Sequence, residues 1–212
     1  MSVFLLRMLK KFLPLILFLL LLLGGVIGLN DGQKPLRPAE VEHFPPLQVG
    51  DWVLRMGTDA DSRIISQAGR SDFSHIGMIV EVEPLMVVHA TTSDSGQEEK
   101  DQVLFTPLNE FLSPDAALAY AVIRPLFLSD KQKTEIAKRL RQRVGEKFVL
   151  APLNEPHLYC SSLIAEEIRR VKPDFQLRTQ IVHVPLFNGE YIFPAAFADY
   201  PGTQRILTFT GR

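Results

Sequence analysis

Apolar residues are distributed along the chain in three regimes. From Phe12 to Leu29 eighteen residues run without a charge, mostly Leu, Ile, Phe and Val, behind Arg7, Lys10 and Lys11. Residues 31–46 then set Pro35, Pro38, Pro45 and Pro46 among polar residues, a pattern of extended chain. From residue 47 on, apolar positions come in short runs parted by turn residues, which predicts a mixed α+β domain over 47–212. A strand is expected at Trp52 to Leu54 and a helix at Asp61 to Ala68, ended by the Gly69 to Asp72 cluster. His75 to Val82 and Leu85 to Thr91, parted by Glu83-Pro84, read as a hairpin. A polar loop from Thr91 to Gln102 precedes a short strand at Val103 to Phe105, a helical turn near Pro107 and a strand from Ala119 to Leu126. Ser129 with Gln132 forms a capping signal for a helix whose apolar stripe is Ile136, Leu140 and Val144, stopped at Gly145. A second amphipathic helix opens at Cys160 and carries Leu163, Ile164, Ile168 and Val171 to Pro173. From Phe175 onward, short apolar runs alternate with prolines and predict no definite element.

The apolar run over 12–29 is long enough, at about 1.5 Å per residue, to cross a bilayer core of about 30 Å. Basic residues before it keep the N-terminus in the cytoplasm and send the remainder across, which predicts a single-pass inner-membrane protein with an extracytoplasmic domain. Small residues for a signal cleavage site are poorly placed at Val26-Ile27-Gly28, so an uncleaved anchor over residues 1–30 is favoured over a signal peptide.

Charge narrows the partners. The chain carries 23 Lys and Arg against 24 Asp and Glu, with no basic stripe or interleaved aromatics, and nucleic acid is excluded as a partner. The helix after Ser129 holds Lys131, Lys133, Lys138, Arg139, Arg141 and Arg143, read as a solvated face in preference to a lipid headgroup site.

A single cysteine rules out a disulfide framework and leaves a buried thiol, an intermolecular bridge or a nucleophile. Cys160 stands where unpaired backbone N–H groups and the helix dipole favour an anion, so its thiolate is expected to form readily. A thiolate mechanism needs an imidazole to take the thiol proton and a polar group to hold that ring; His75 and His89 supply both. Their numbering sets a geometric condition. A two-residue turn at Glu83-Pro84 pairs Val82 with Leu85 and puts the two histidines on opposite faces of the sheet. The catalytic reading therefore predicts an odd-length loop or a bulge. A zinc site from His75, His89, His157 and Cys160 is the weaker alternative, because the usual paired ligand spacings are missing.

Ser74-His75-Ile76-Gly77-Met78-Ile79-Val80, Val87-Val88-His89-Ala90 and Tyr159-Cys160-Ser161-Ser162-Leu163-Ile164 together resemble the NlpC-type papain-like cysteine hydrolases. The histidine block precedes the cysteine helix, an order similar to the circularly permuted YiiX/YebB branch. Gly50-Asp51, Gly145, Phe148 and Pro194-Ala195-Ala196 extend the likeness, which spans about residues 48–202. Ser162 and Phe148 depart from it, standing where relatives often carry an acidic residue and a tyrosine. The resemblance implies an antiparallel sheet packed on the cysteine-bearing helix, with Cys160 as nucleophile, His75 as base and His89 orienting His75. Tyr159, Ser161 and Ser74 are the oxyanion or cleft candidates, and neither cofactor nor metal is implied. The expected activity is cleavage of amide bonds, those of cell-wall peptides first. The alternatives are a lipid ester or amide hydrolase or acyltransferase using the same cysteine, and a non-catalytic binding module.

Overall fold

The computed structural model describes residues 44–92, 101–184 and 187–210. The expected anchor over 1–30, most of the proline-rich segment and the middle of the Thr91 to Gln102 loop lie outside the described residues. No described helix is long and apolar enough to cross a membrane.

The architecture is α+β. In chain order the elements are β1 (Trp52–Met56), α1 (Ala60–Gly69), β2 (His75–Val82), β3 (Leu85–Thr91), β4 (Gln102–Pro107), α2 (Leu108–Phe111), β5 (Ala119–Pro125), α3 (Asp130–Gln142), α4 (Cys160–Val171), β6 (Gln180–Val184), β7 (Phe187–Tyr191), α5 (Ala195–Ala198) and β8 (Thr203–Thr210). Six strands form one antiparallel sheet in the order β4-β3-β2-β1-β5-β8, and β6 pairs with β7 in a separate ribbon.

Both faces of the large sheet are covered, which is why its central strands read as near-continuous apolar runs. On one face Trp52, Leu54, Ile76, Met78, Val88 and Ile123 pack with Ile136 and Leu140 of α3 and with Leu163, Ile164 and Ile168 of α4. Phe175 and Phe197 close this core around Trp52, with the Phe197 ring edge-on at 5.0 Å. Burying each such side chain contributes roughly 1.5–3 kcal/mol. On the other face Val53, Ile79, Val87 and Val122 meet Leu108, Phe111 and Leu112, with the half-buried Phe44 and Leu47 packed alongside. Among the described residues, Phe44 already packs against this face.

The hairpin meets the geometric condition through a bulge. Val82 pairs with Leu85 and Glu81 with Met86 across the two-residue turn, but Ile79 pairs with Val87 and Met78 with Val88. Val80 is the extra residue, and it shifts the register by one so that His75 and His89 share a face. β1 supports the bulge from its other side, where Gly50 N–H donates to the Ile79 carbonyl at 2.8 Å and Ile79 N–H to the Asp51 carbonyl at 2.8 Å. Gly77 lies between the two histidines. A Cβ there would fall 2.3 Å from Val87 Cγ1 and 3.3 Å from His89 Cβ, so only glycine lets the strands approach this closely.

Candidate active site

α4 begins at Cys160 because the chain ahead of it is held on three sides. Val149 and Leu158 exchange backbone hydrogen bonds of 2.7 and 2.8 Å two residues upstream. Ser162 Oγ accepts the Tyr159 N–H at 2.9 Å and donates to the Tyr159 carbonyl at 3.1 Å, satisfying an orphan donor of the helix start. Tyr159 Oη in turn accepts the Ile192 N–H at 3.0 Å, tying the helix start to the end of β7. Ser162, one of the departures from the resembled pattern, therefore has a local structural task.

Cys160 packs with the helix-side core, whereas His75 and His89 lie on the opposite face against Phe111. His75 is the first residue of β2, and it opens with Cys160 on one cavity of about 300 Å³. His75 Nε2 is 2.9 Å from His89 Nδ1, and His89 Nε2 is 3.0 Å from Thr106 Oγ1 on β4. His75 Nδ1 is the ring nitrogen that takes no part in this chain of contacts.

Of the other cleft candidates, Ser161 and Ser74 are buried and line the cavity, as does Tyr159. Ser74 Oγ accepts the Gly57 N–H at 2.9 Å, so that hydroxyl is spent on the turn after β1. His157, the fourth residue of the zinc alternative, has its Nδ1 2.8 Å from the Glu155 carbonyl and its ring beside Tyr159. Thr106 and Arg55 are site residues that the sequence does not reveal. Arg55 sits opposite His75 in the β1–β2 ladder, lines the cavity, and holds its guanidinium 4.4 Å over the Phe111 ring with Nη1 donating to the Phe111 carbonyl at 2.6 Å. No sequence signal marks a lone threonine or arginine in a strand; only cross-strand register could have found them.

Electrostatics keeps the three groups uncharged. Burial pushes the Cys160 thiol up from its ordinary value, outweighing the opposing pull of Ser161, of the Ile76 backbone and of Arg55. This corrects the expectation of a readily formed thiolate, because desolvation here exceeds what the helix start supplies. Burial, followed by the Arg55 charge, holds His89 down at about 3. The same causes, with His89 in addition, hold His75 well below 6.5. The cavity is thus lined by a neutral thiol and a neutral imidazole.

Fold and cavity together define an α+β protein whose large antiparallel sheet packs on a cysteine-bearing helix. The structure is similar to the crystal structure described as metalloprotein yiiX from Escherichia coli O157:H7, DUF1105, with a TM-score of 0.61 at 19% identity, covering 77% of this chain and 98% of that one. The likeness is one of fold, and it fits a YiiX-like architecture. No protein-family model and no curated protein matches the sequence.

Proposed function

We propose that the protein is a thiol hydrolase that cleaves amide bonds, cell-wall peptides being the first substrate class, through an acyl-enzyme on Cys160. One observation carries the reading: Cys160 at the start of α4 and His75 line the same cavity while His75 Nε2 is held 2.9 Å from His89 Nδ1. The thiol proton passes to His75 Nδ1 as Sγ attacks the carbonyl carbon, and the oxyanion forms near the Cys160 backbone N–H. His75 then gives that proton to the leaving amine as the C–N bond breaks, leaving a thioester. Water attacks the thioester with His75 again as base, and the acid and free thiol are released. The apolar run over 12–29 supports placing this chemistry outside the cytoplasm on an inner-membrane anchor.

A second reading keeps the nucleophile and exchanges the substrate for a lipid ester or amide. It is favoured by the apolar wall of the cavity, built from Ile65, Phe148, Leu150, Tyr191 and Phe193. The yiiX protein is described as a metalloprotein. Among the described residues no group of three or more His, Cys, Asp or Glu gathers to hold an ion. Both ring nitrogens of His89 and one of His75 lie within hydrogen-bond distance of a partner.

Incubating the full-length protein with purified wall fragments and, separately, with labelled phospholipid tests the proposal. New amino groups on stem peptides are expected. Acyl chain release with stem peptides intact would assign the lipid reading, and a Cys160 inert to both substrates and to thiol probes would leave a binding module.

A further inference from the structure

The hydrogen-bond chain His75–His89–Thr106 fixes more than ring orientation. Each N···N or N···O contact shares one proton, so the chain has two neutral arrangements. In one, His75 Nε2–H donates to His89 Nδ1, His89 Nε2–H donates to Thr106 Oγ1, and His75 Nδ1 is bare. In the other, every proton points the opposite way, and His75 Nδ1 carries a hydrogen and cannot accept one from the thiol. Protonating His75 removes the choice: an imidazolium donates from both nitrogens, so His89 Nδ1 must be bare, His89 Nε2 must carry the proton, and Thr106 Oγ1 must accept it.

We propose that Thr106 is a positioning residue that accepts the His89 Nε2–H, the arrangement that leaves His75 Nδ1 bare to take the Cys160 proton and hold it until the leaving group departs. This rests on the reading of Cys160 and His75 as nucleophile and base. Thr106 is not among the residues lining the cavity, so it acts through His89 and not on substrate. It is half-buried on β4, whose pairing of Thr106 with Val87 brings its hydroxyl beside the ring of His89. Phe111, 4.8 Å from the His89 ring and 5.6 Å from the His75 ring, covers both imidazoles. Without Thr106 the His89 Nε2–H would lose the acceptor this site provides.

The test is made on the full-length protein labelled with 15N-histidine, with the ring nitrogens of His89 read by long-range proton–nitrogen correlation. Wild type is expected to show Nε2 protonated and Nδ1 bare, and this needs neither substrate nor turnover. A His89 protonated on Nδ1 would overturn the proposal even if Cys160 proves fully active. Thr106→Val is expected to move the His89 proton toward Nδ1 and to slow alkylation of Cys160 by chloroacetamide at neutral pH at least tenfold. Thr106→Ser is expected to restore both. With a turned-over substrate, the valine variant loses kcat with KM unchanged. An unaltered His89 tautomer and alkylation rate in Thr106→Val would reject the assignment. Should that variant not fold, the wild-type spectrum and the serine variant still decide it. A Cys160 that alkylates but hydrolyses nothing would sink the hydrolase reading and leave the tautomer assignment standing.

Discussion

Two buried polar clusters on the same sheet are built to opposite ends. In one, Asp51, fully buried just ahead of β1, takes both forks of Arg124 on β5, with Nε to Oδ1 at 2.8 Å and Nη2 to Oδ2 at 2.7 Å. The Gln48 N–H adds a third bond to the same carboxylate, and Arg124 also donates to the Pro46 carbonyl. Bonding to Asp51 raises the Arg124 guanidinium further above its ordinary value, and the two-pronged contact locks the chain entering the domain. In the other cluster His75, His89 and Thr106 are joined by bonds of 2.9 and 3.0 Å, and burial and Arg55 keep both rings neutral. An ion pair whose partners complete each other resists change, whereas a neutral chain ending in a histidine that lines a cavity leaves one ring nitrogen outside the chain. Permanence of charge thus distinguishes the scaffold cluster from the proposed catalytic one.

Four perturbations probe that contrast. His75→Ala is expected to lower hydrolysis about 10²–10⁴-fold, the usual worth of a positioned general base, with little change in the unfolding midpoint; a large stability loss with residual activity intact would place His75 with the scaffold. Asp51→Ala should behave in the opposite way. It leaves Arg124 without its carboxylate, costs about 3–5 kcal/mol in urea unfolding, and leaves the Cys160 alkylation rate of the folded fraction unchanged. Gly77→Ala pushes a methyl into Val87 and toward His89, with an expected cost of about 1–3 kcal/mol and a slower alkylation of Cys160, because the strands carrying the histidines must part.

The fourth perturbation is pH. His75 and His89 lie well below 6.5 in the folded protein, His89 at about 3, and return to about 6.5 when unfolded. Below pH 6.5 the unfolded chain binds more protons than the native one, so stability is fully present above that value and falls as pH drops toward about 3. The slope is roughly 1 kcal/mol per pH unit for each histidine. Urea midpoints at pH 7 and pH 5 measure it, and replacing His89 with Asn should flatten the difference.

Much of this arrangement is legible in the chain's own pattern. The hairpin, the capped α3 and the stripe of α4 follow from periodicity, and the numbering of His75 and His89 demands the irregularity that Val80 supplies. The tail is not legible. β8 joins the edge of the large sheet with a mixed pattern of exposed and half-buried residues, because it covers one face only and its partner β5 lies far back in the chain. Local pattern carries no record of such distant pairing. The state of Cys160 escapes for a related reason: a helix start is visible in sequence, but the depth at which it is buried follows from the packing of the helix-side core as a whole. Thr106 and Arg55 join the site only through cross-strand neighbours, and no spacing rule announces them.

Trapping the acyl-enzyme tests the account most directly. The full-length protein is mixed with wall fragments, quenched in acid and analysed by intact mass spectrometry with peptide mapping. A mass increase on Cys160 is predicted in wild type, formed at least a hundredfold more slowly in His75→Ala. An adduct that accumulates equally fast without His75, or that maps elsewhere than Cys160, would contradict the account.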